Sequence, residues 1–100
     1  MFFPLNKFKV VGHSMEPAFK EGNRILVNRL AYLFSRPKPN DIVAIKHPRE
    51  RDKILLKIIK MSLPKNQYFV VGINPSDSCD SRNFGSISKD LIFGKVWFSY

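Results

Sequence analysis

The sequence predicts an all-β fold, a small coiled antiparallel sheet of barrel-like form in a single domain over residues 1–100. Short β-branched and aromatic runs recur along the chain, and Gly, Pro and Asn clusters separate them, as is typical of antiparallel strands and turns. A chain of 100 residues with 44% hydrophobic residues can bury one core and has no room for a second.

Six segments carry the strand pattern, and each is bounded by turn-forming residues. They are residues 8–11, 24–27, 41–46, 54–61, 67–73 and 91–98. The first ends at Gly12, the second and third follow turn clusters at 21–23 and 37–40, and the fourth and fifth end shortly before prolines. Residues 30–34 fit a helical turn or an irregular strand equally well.

The charge balance is strongly basic, with 17 Lys and Arg against 8 Asp and Glu and a formal net charge of +9. The cations are spread along the chain, and no zinc-finger spacing or aromatic RNA-binding signature accompanies them, which argues against specific nucleic-acid binding. Cys79 is the single cysteine, so an internal disulfide and a cysteine-based zinc site are excluded. No cofactor or metal is implied.

Membrane insertion has little support in the sequence. A transmembrane helix needs about 20 mostly apolar residues, and the apolar start at 1–5 is interrupted by Pro4, Lys7 and Lys9. We therefore expect neither a span nor a signal-peptide core there, and predict a soluble, cytoplasmic protein. The alternative is a membrane-associated protein without a transmembrane helix, which makes a peripheral contact through its apolar start and basic surface.

Ser14 is a candidate nucleophile, because it directly follows the turn that Gly12 begins at the end of the first predicted strand. A serine hydroxyl needs a neighbouring base to take its proton, and a backbone N–H that faces the oxyanion formed on attack. A sharp turn exposes both groups. Without a partner, however, the same pattern describes an ordinary turn serine.

Lys57 is the candidate base. Strand alternation places it on one face with Leu55 and Ile59, so its same-face neighbours are aliphatic. Burial disfavours the charged amine and lowers a lysine pKa, as a general base near neutral pH requires. The alternative is a lysine that protects an edge strand from aggregation. Lys60 lies on the other face and is predicted to be solvated.

A polar loop over residues 72–85 is the third candidate segment. Asp80 and Arg82 are close enough in sequence to form a charge-assisted pair that fixes the loop. Ser78 and Ser81 offer hydroxyls that could orient a neutral lysine amine. An ordinary Ser- and Asp-rich turn is the competing interpretation.

Taken together, these segments resemble the signal peptidase I family of serine–lysine proteases. The family's nucleophile motif G-x-S-M-x-P is matched by Gly12, Ser14, Met15 and Pro17. Its lysine box is similar to the segment that begins at Lys57, and its S-x-D-S-R-x-x-G loop is matched by residues 78–85, with the closing I-x-G-K strand at 92–95. The boxes occur in order over nearly the whole chain.

The S-x-D-S-R loop separates this family from LexA-like self-cleaving repressors, which share the S-M motif and a lysine strand. The short chain and His47-Pro48 resemble the compact proteases that mature nickel-type superoxide dismutases. Four positions depart from the family pattern; none removes a proposed proton carrier, but several remove supporting charges. The four are Asn23 for Asp, Asn40 for Gly, Ile58 for Arg and Ile73 for Asp.

The resemblance implies a serine endopeptidase that removes an N-terminal leader or signal peptide from a pre-protein, with Ser14 as nucleophile and Lys57 as base. Ser78 would orient Lys57, Asp80 and Arg82 would hold the loop, and Met15 belongs to the nucleophile motif. A Gly at position 12 leaves backbone N–H groups to form the oxyanion hole. The alternatives are a catalytically impaired peptide-binding module of the same fold, a LexA-like self-cleaving regulator and a basic nucleic-acid-binding β-domain.

Overall fold

A computed structural model describes residues 5–10, 15–16, 18–33, 35–49, 54–73 and 80–99. The strands are β1 (Leu5–Lys9), β2 (Arg24–Asn28), β3 (Ile42–Lys46), β4 (Ile54–Leu63), β5 (Gln67–Val71), β6 (Ile87–Ser88) and β7 (Ile92–Ser99). They form one curled antiparallel half-barrel in the order β1-β2-β7-β3-β4-β5-β6. Helix α1 (Ser81–Phe84) and a 3₁₀ helix (Lys89–Leu91) follow β5 and β6. The all-β prediction is confirmed.

The observed strands differ from the predicted ones mainly at their ends. The first predicted segment, residues 8–11, overlaps the end of β1. Val10 continues the pairing of β1 with β2, since its N–H donates to Asn23 O at 2.8 Å. Strand β6 was missed because two residues show no alternation. Residues 29–32 form turns rather than a strand. Among the described residues, no helix has the length and hydrophobicity to span a bilayer.

The sheet divides the hydrophobic core into two clusters on its opposite faces, so the expectation of a single core is wrong. The β5-side core consists of Val43, Ile45, Ile59, Tyr68, Val70, Ile87 and Leu91. The β1-side core consists of Val10, Ile25, Val27 and Ala44, with Phe8, Phe19, Ile54, Leu56, Phe93 and Val96 packed against it. Strand β3 is buried on both faces, because Val43 and Ile45 enter one core and Ala44 the other. Strand β3 is therefore the central, fully covered strand of the sheet.

Gly94 allows β7 to approach β2 closely. A Cβ atom at this position would lie 2.6 Å from the backbone oxygen of Asn28 and 2.7 Å from Cγ1 of Val27. The backbone oxygen belongs to a paired strand and cannot withdraw without disturbing the ladder. The glycine of the closing I-x-G-K segment is therefore required by packing.

We expect Gly94→Ala to destabilise the fold by about 1–3 kcal/mol, the usual cost of overpacking. Urea unfolding monitored by circular dichroism measures the change as a lower midpoint at an unchanged slope. Ser62→Ala on the exposed part of β4 is the control. Equal midpoints for the two variants would contradict the packing argument.

Candidate active site

Lys57 lies in β4 with its side chain inside the protein, where it is 1% exposed. It is paired with Val43 of β3, and its same-face neighbours Leu55 and Ile59 contact or belong to the β5-side core. The predicted aliphatic environment is thus confirmed. Lys60 is exposed, as predicted, beside a register shift between Ile59 and Met61.

Asp80 and Arg82 form the ion pair that the sequence predicts. The Arg82 Nη2 donates to Asp80 Oδ2 at 2.6 Å, and its Nε donates to Oδ1 at 3.1 Å. Asp80 is fully buried, whereas 43% of the Arg82 side chain is exposed. Asp80 also caps α1: its Oδ1 accepts from Arg82 N–H at 3.0 Å, and its own N–H donates to Asn83 Oδ1 at 3.2 Å.

The surroundings of Asp80 keep its carboxylate ionised. Burial alone would raise the pKa. The side-chain donors of Arg82, the backbone N–H groups of Gly72 and Arg82, and the Arg82 charge outweigh burial and hold the Asp80 pKa well below its usual range. The pair therefore works as a fixed structural clamp over the pH range in which proteins function.

This clamp fastens the start of α1 to the end of β5, next to the strand that carries Lys57. The N–H of Gly72 donates to Asp80 Oδ2 at 2.9 Å, and the N–H of Val70 donates to Ser81 Oγ at 2.9 Å. Val71 is paired with Ile58 of β4, so Gly72 follows directly beside the Lys57 position. The Ser81 hydroxyl oxygen thus anchors the loop, a role that the sequence did not suggest.

Met15 is the described residue next to the candidate nucleophile. Its side chain is 1% exposed, and its carbonyl accepts from Phe19 N–H at 2.8 Å, which closes a turn after the Ser14 position. Gly12, Ser14, Ser78 and Cys79 lie outside the described residues, as do residues 1–4 of the apolar start.

A small apolar cleft of about 90 Å³ connects the nucleophile segment to the lysine strand. Met15, the neighbour of Ser14, and Leu56, the neighbour of Lys57, both line it. Its other lining residues come from β1 to β4 and from Val10, which directly follows β1; the strand residues are Phe8, Lys9, Ile25, Ala44, Ile54 and Leu55. Sequence reasoning missed these lining residues, because the cleft depends on how the sheet curls.

Two strand edges that no described strand covers border this cleft. Among the described strands, β1 pairs on one side with β2. Residues 54–57 of β4 pair on one side with β3, whereas β5 joins the other side of β4 only from Ile58 onward. Unpaired edges with open N–H and C=O groups accept an added peptide strand. The cleft is therefore suited to an extended peptide.

A larger polar groove of about 500 Å³ lies elsewhere, between Tyr32, Asp41, Lys95 and Trp97. Burial, followed by the hydrogen bond to Asp41, raises the Tyr32 pKa above its usual range. Burial would raise the Asp41 pKa, but the Tyr32 hydroxyl, the Lys38 N–H and Lys95 together hold it below its usual value. Neither group is suited to proton transfer near neutral pH. Among the described residues, no cluster of His, Cys, Asp and Glu could hold a metal ion.

Two of the four departures from the family pattern preserve local geometry. Asn40 has a left-handed φ of 76°, which Asn tolerates better than other non-glycine residues. Asn23 Oδ1 accepts from Lys20 N–H at 2.8 Å and closes the turn before β2. At the other two positions, Ile58 is half-buried in β4 and Ile73 is 38% exposed. Nothing in the structure explains why these two are isoleucine.

The family described as "Signal peptidase, peptidase S26" matches this chain over residues 1–60 and 58–100. The chain is 29% identical over 137 positions to signal peptidase I V of Bacillus subtilis (strain 168), covering 89% of this chain and 82% of that protein. It is 30% identical over 107 positions to the mitochondrial ATP-independent inner membrane protease subunit 1b of Arabidopsis thaliana, covering 85% of this chain and 63% of that protein.

Signal peptidase IB of Staphylococcus aureus (strain Mu50 / ATCC 700699) is 22% identical over 151 positions, covering 98% of this chain and 78% of that protein. This alignment is longer than the chain itself, so the staphylococcal protein contains segments without a counterpart here. The narrower resemblance to the nickel-type superoxide dismutase maturation proteases stays a prediction.

Proposed function

The chain belongs to the signal peptidase family, peptidase S26, and from this membership we propose that it is a serine endopeptidase with a Ser14–Lys57 dyad. Its substrate would be a pre-protein from which it removes an N-terminal leader or signal peptide. The observation that carries the proposal is the burial of Lys57 in β4, the strand whose residues 54–56 line the apolar cleft together with Met15, the neighbour of Ser14 in sequence.

The burial of Lys57 supports its role as the base. Lys57 is 1% exposed and its same-face neighbours in β4 are aliphatic, so its amine loses most of its hydration. Because this loss disfavours the ammonium form, we expect a lowered pKa and a neutral amine near physiological pH. A neutral amine can take a proton from a serine hydroxyl, whereas an ammonium group cannot.

The reaction would proceed through an acyl-enzyme. Ser14 Oγ attacks the carbonyl carbon of the scissile peptide bond while its proton passes to Lys57 Nζ, and the Ser14 backbone N–H donates to the oxyanion. The C–N bond then breaks as the Lys57 ammonium returns the proton to the leaving amine. Lys57 next takes a proton from water, whose oxygen attacks the ester, and Ser14 Oγ regains the proton as the acid leaves.

The free strand edges support the mode of substrate binding. A peptide that enters between β1 and residues 54–57 of β4 would extend the sheet with backbone hydrogen bonds on both sides. The apolar cleft would receive alternate side chains of this peptide. Such binding would deliver an extended segment to the Ser14 turn.

The polar loop would position the base rather than take part in proton transfer. Ser78 would orient the Lys57 amine by a hydrogen bond, and the Asp80–Arg82 clamp would hold the loop that carries Ser78. Gly12 would let the turn adopt the conformation that presents the backbone N–H groups to the oxyanion.

The direct test is incubation of the protein with synthetic peptides that span leader–mature junctions with small residues before the junction. Mass spectrometry should find a single cut at the junction, and acid quenching should trap an acyl group whose added mass maps to Ser14. The matched control is the same peptide with an N-methylated scissile bond. Binding without any cut, or an adduct on another residue, would contradict the proposal.

A further inference from the structure

Three cations gather at the free edge of the sheet that borders the cleft. In β1, Phe8 and Val10 face the β1-side core, so strand alternation turns Lys7 and Lys9 to the opposite face. Arg24 of β2 is paired directly with Lys9. All three cations are exposed and, with Phe8, border one shallow hollow. We refer to Lys7, Lys9 and Arg24 as the basic edge.

The basic edge destabilises the folded protein when no peptide is bound. Like charges directly opposite each other in an antiparallel pair are destabilising, and Lys9 and Arg24 occupy such a pair. Neither β1 nor β2 contains an acidic residue, and Glu21 in the turn before β2 is the acid nearest to Arg24 in sequence. Local features that oppose stability are expected where a site requires them.

A peptide bound between β1 and β4 would meet two different surfaces. Successive side chains of a strand point to opposite faces of the sheet. One set would enter the apolar cleft beside Phe8 and Leu56. The other set would lie on the face of Lys7 and Lys9, the cations of the strand that the peptide would pair with.

We propose that the basic edge selects peptides with acidic side chains at the positions that alternate with those in the apolar cleft. This inference rests on the proposed function, because it assigns a substrate class to the same cleft. Charge complementarity carries it: carboxylates are the peptide side chains that relieve the repulsion between Lys9 and Arg24.

Protection of the edge against aggregation is the competing explanation for lysines on β1. A charge of either sign protects an edge, so this explanation predicts that charge reversal leaves peptide preference unchanged. It also gives no reason for a third cation directly opposite Lys9 on the paired strand.

Binding is measured with the Ser14→Ala variant, so that no cut complicates the result. The probes are two fluorescein-labelled peptides in which Ala alternates with Asp or with Asn. Exposed ion pairs are individually weak and several would act together, so we expect about fivefold to tenfold tighter binding of the Asp peptide in about 0.05 M salt. The preference should shrink to about twofold or less in about 0.5 M salt, because exposed charges are screened.

Lys7→Glu with Lys9→Glu in the same background should remove the preference for the Asp peptide and favour a peptide in which Ala alternates with Lys. The matched control is Lys65→Glu with Lys89→Glu, which changes the net charge equally at the β4–β5 turn, where Lys89 N–H donates to Asn66 O. This control should keep the parental preference. Equal affinity for the Asp and Asn peptides, or equal effects of the two double variants, would overturn the proposal.

Cleavage assays with the unaltered protein separate this inference from the proposed function. Cutting of leader peptides with no preference between acidic and neutral side chains would leave the function standing and overturn the inference. A clear preference in binding without any cutting would overturn the function and support the inference.

Thermal unfolding measures how much the like charges of the basic edge destabilise the fold. Lys9→Glu places opposite charges in the pair with Arg24 and should raise the melting temperature by about 1–5 °C. Lys7→Glu is the control, because Lys7 is paired with the uncharged Leu26, and its change should be smaller. A lower melting temperature for Lys9→Glu than for Lys7→Glu would show that the Lys9–Arg24 pair is not under repulsion.

Discussion

Replacing Lys57 by methionine is expected to lower the rate of peptide cleavage by about 10²–10⁴-fold or more while the protein stays folded. Methionine has a similar length and fits an aliphatic site, but it cannot accept the Ser14 proton. Lys57 is 1% exposed, lies on the same face of β4 as Ile59 and is paired with Val43 of β3. Because Lys57 has an interaction partner that methionine cannot engage in its place, we expect the free energy of unfolding to fall by about 1–3 kcal/mol while the protein stays folded.

Kinetics of a leader–mature peptide and urea unfolding measure the two effects on the same preparation. Lys60→Met is the matched control, because Lys60 is exposed in the same strand and its loss should leave cleavage unchanged. A Lys57→Met protein that cuts at the parental rate would disprove the role of Lys57. A loss of cleavage that is accompanied by a large loss of stability would point to a structural lysine instead.

Combining Lys57→Met with Ser14→Ala gives a sharper form of this test. Each single change should remove nearly all cleavage, and the double variant should be no slower than either single one, because a nucleophile and its base act as a unit. Multiplicative losses would mean that the two residues act independently. NMR titration of the Lys57 amine in the parent should in turn give a pKa below the reference of about 10.4.

Strand alternation was sufficient to predict the environment of Lys57. Once 54–61 was identified as a strand, the aliphatic neighbours at 55 and 59 followed from the period of two, and the structure confirms them. The Asp80–Arg82 pair followed equally from local spacing. The capping signal of α1, Asp80 followed three residues later by Asn83, is also present in the sequence, although the prediction overlooked that helix.

The cleft could not be predicted in this way, because it arises from long-range pairing. Residues 54–57 of β4 have no described strand on their outer side, because β5 joins β4 only from Ile58 onward. The curl of the sheet then brings Phe8 and Leu56, which are far apart in sequence, to one cavity. Neither the hydrophobic pattern of a strand nor its turn residues specify how far the neighbouring strand extends. Strand β6 has only two residues, which are too few to show an alternating pattern.

Asp80→Asn is expected to lower the free energy of unfolding by about 2–3 kcal/mol at neutral pH, because a fully buried carboxylate loses charge-assisted hydrogen bonds to Arg82 and Gly72. The amide can still accept one of these bonds, but its NH₂ group faces donors. Asp90→Asn is the matched control, since Asp90 is exposed and the charge change is the same. Urea unfolding of the three proteins measures the difference.

The pH dependence of the stability difference between the parent and Asp80→Asn tests whether the charge of Asp80 causes that difference. The Asp80 pKa lies well below its usual range in the folded protein, so the carboxylate binds protons more tightly in the unfolded chain. Its stabilisation is therefore complete above the unfolded pKa of about 3.9 and is lost as pH falls towards the lower folded value. The difference in free energy of unfolding between parent and Asp80→Asn should shrink below about pH 4, because protonation makes the parent resemble the variant. A stability difference that stays constant down to pH 2 would mean that side-chain packing, and not the charge of Asp80, fixes the loop beside Lys57.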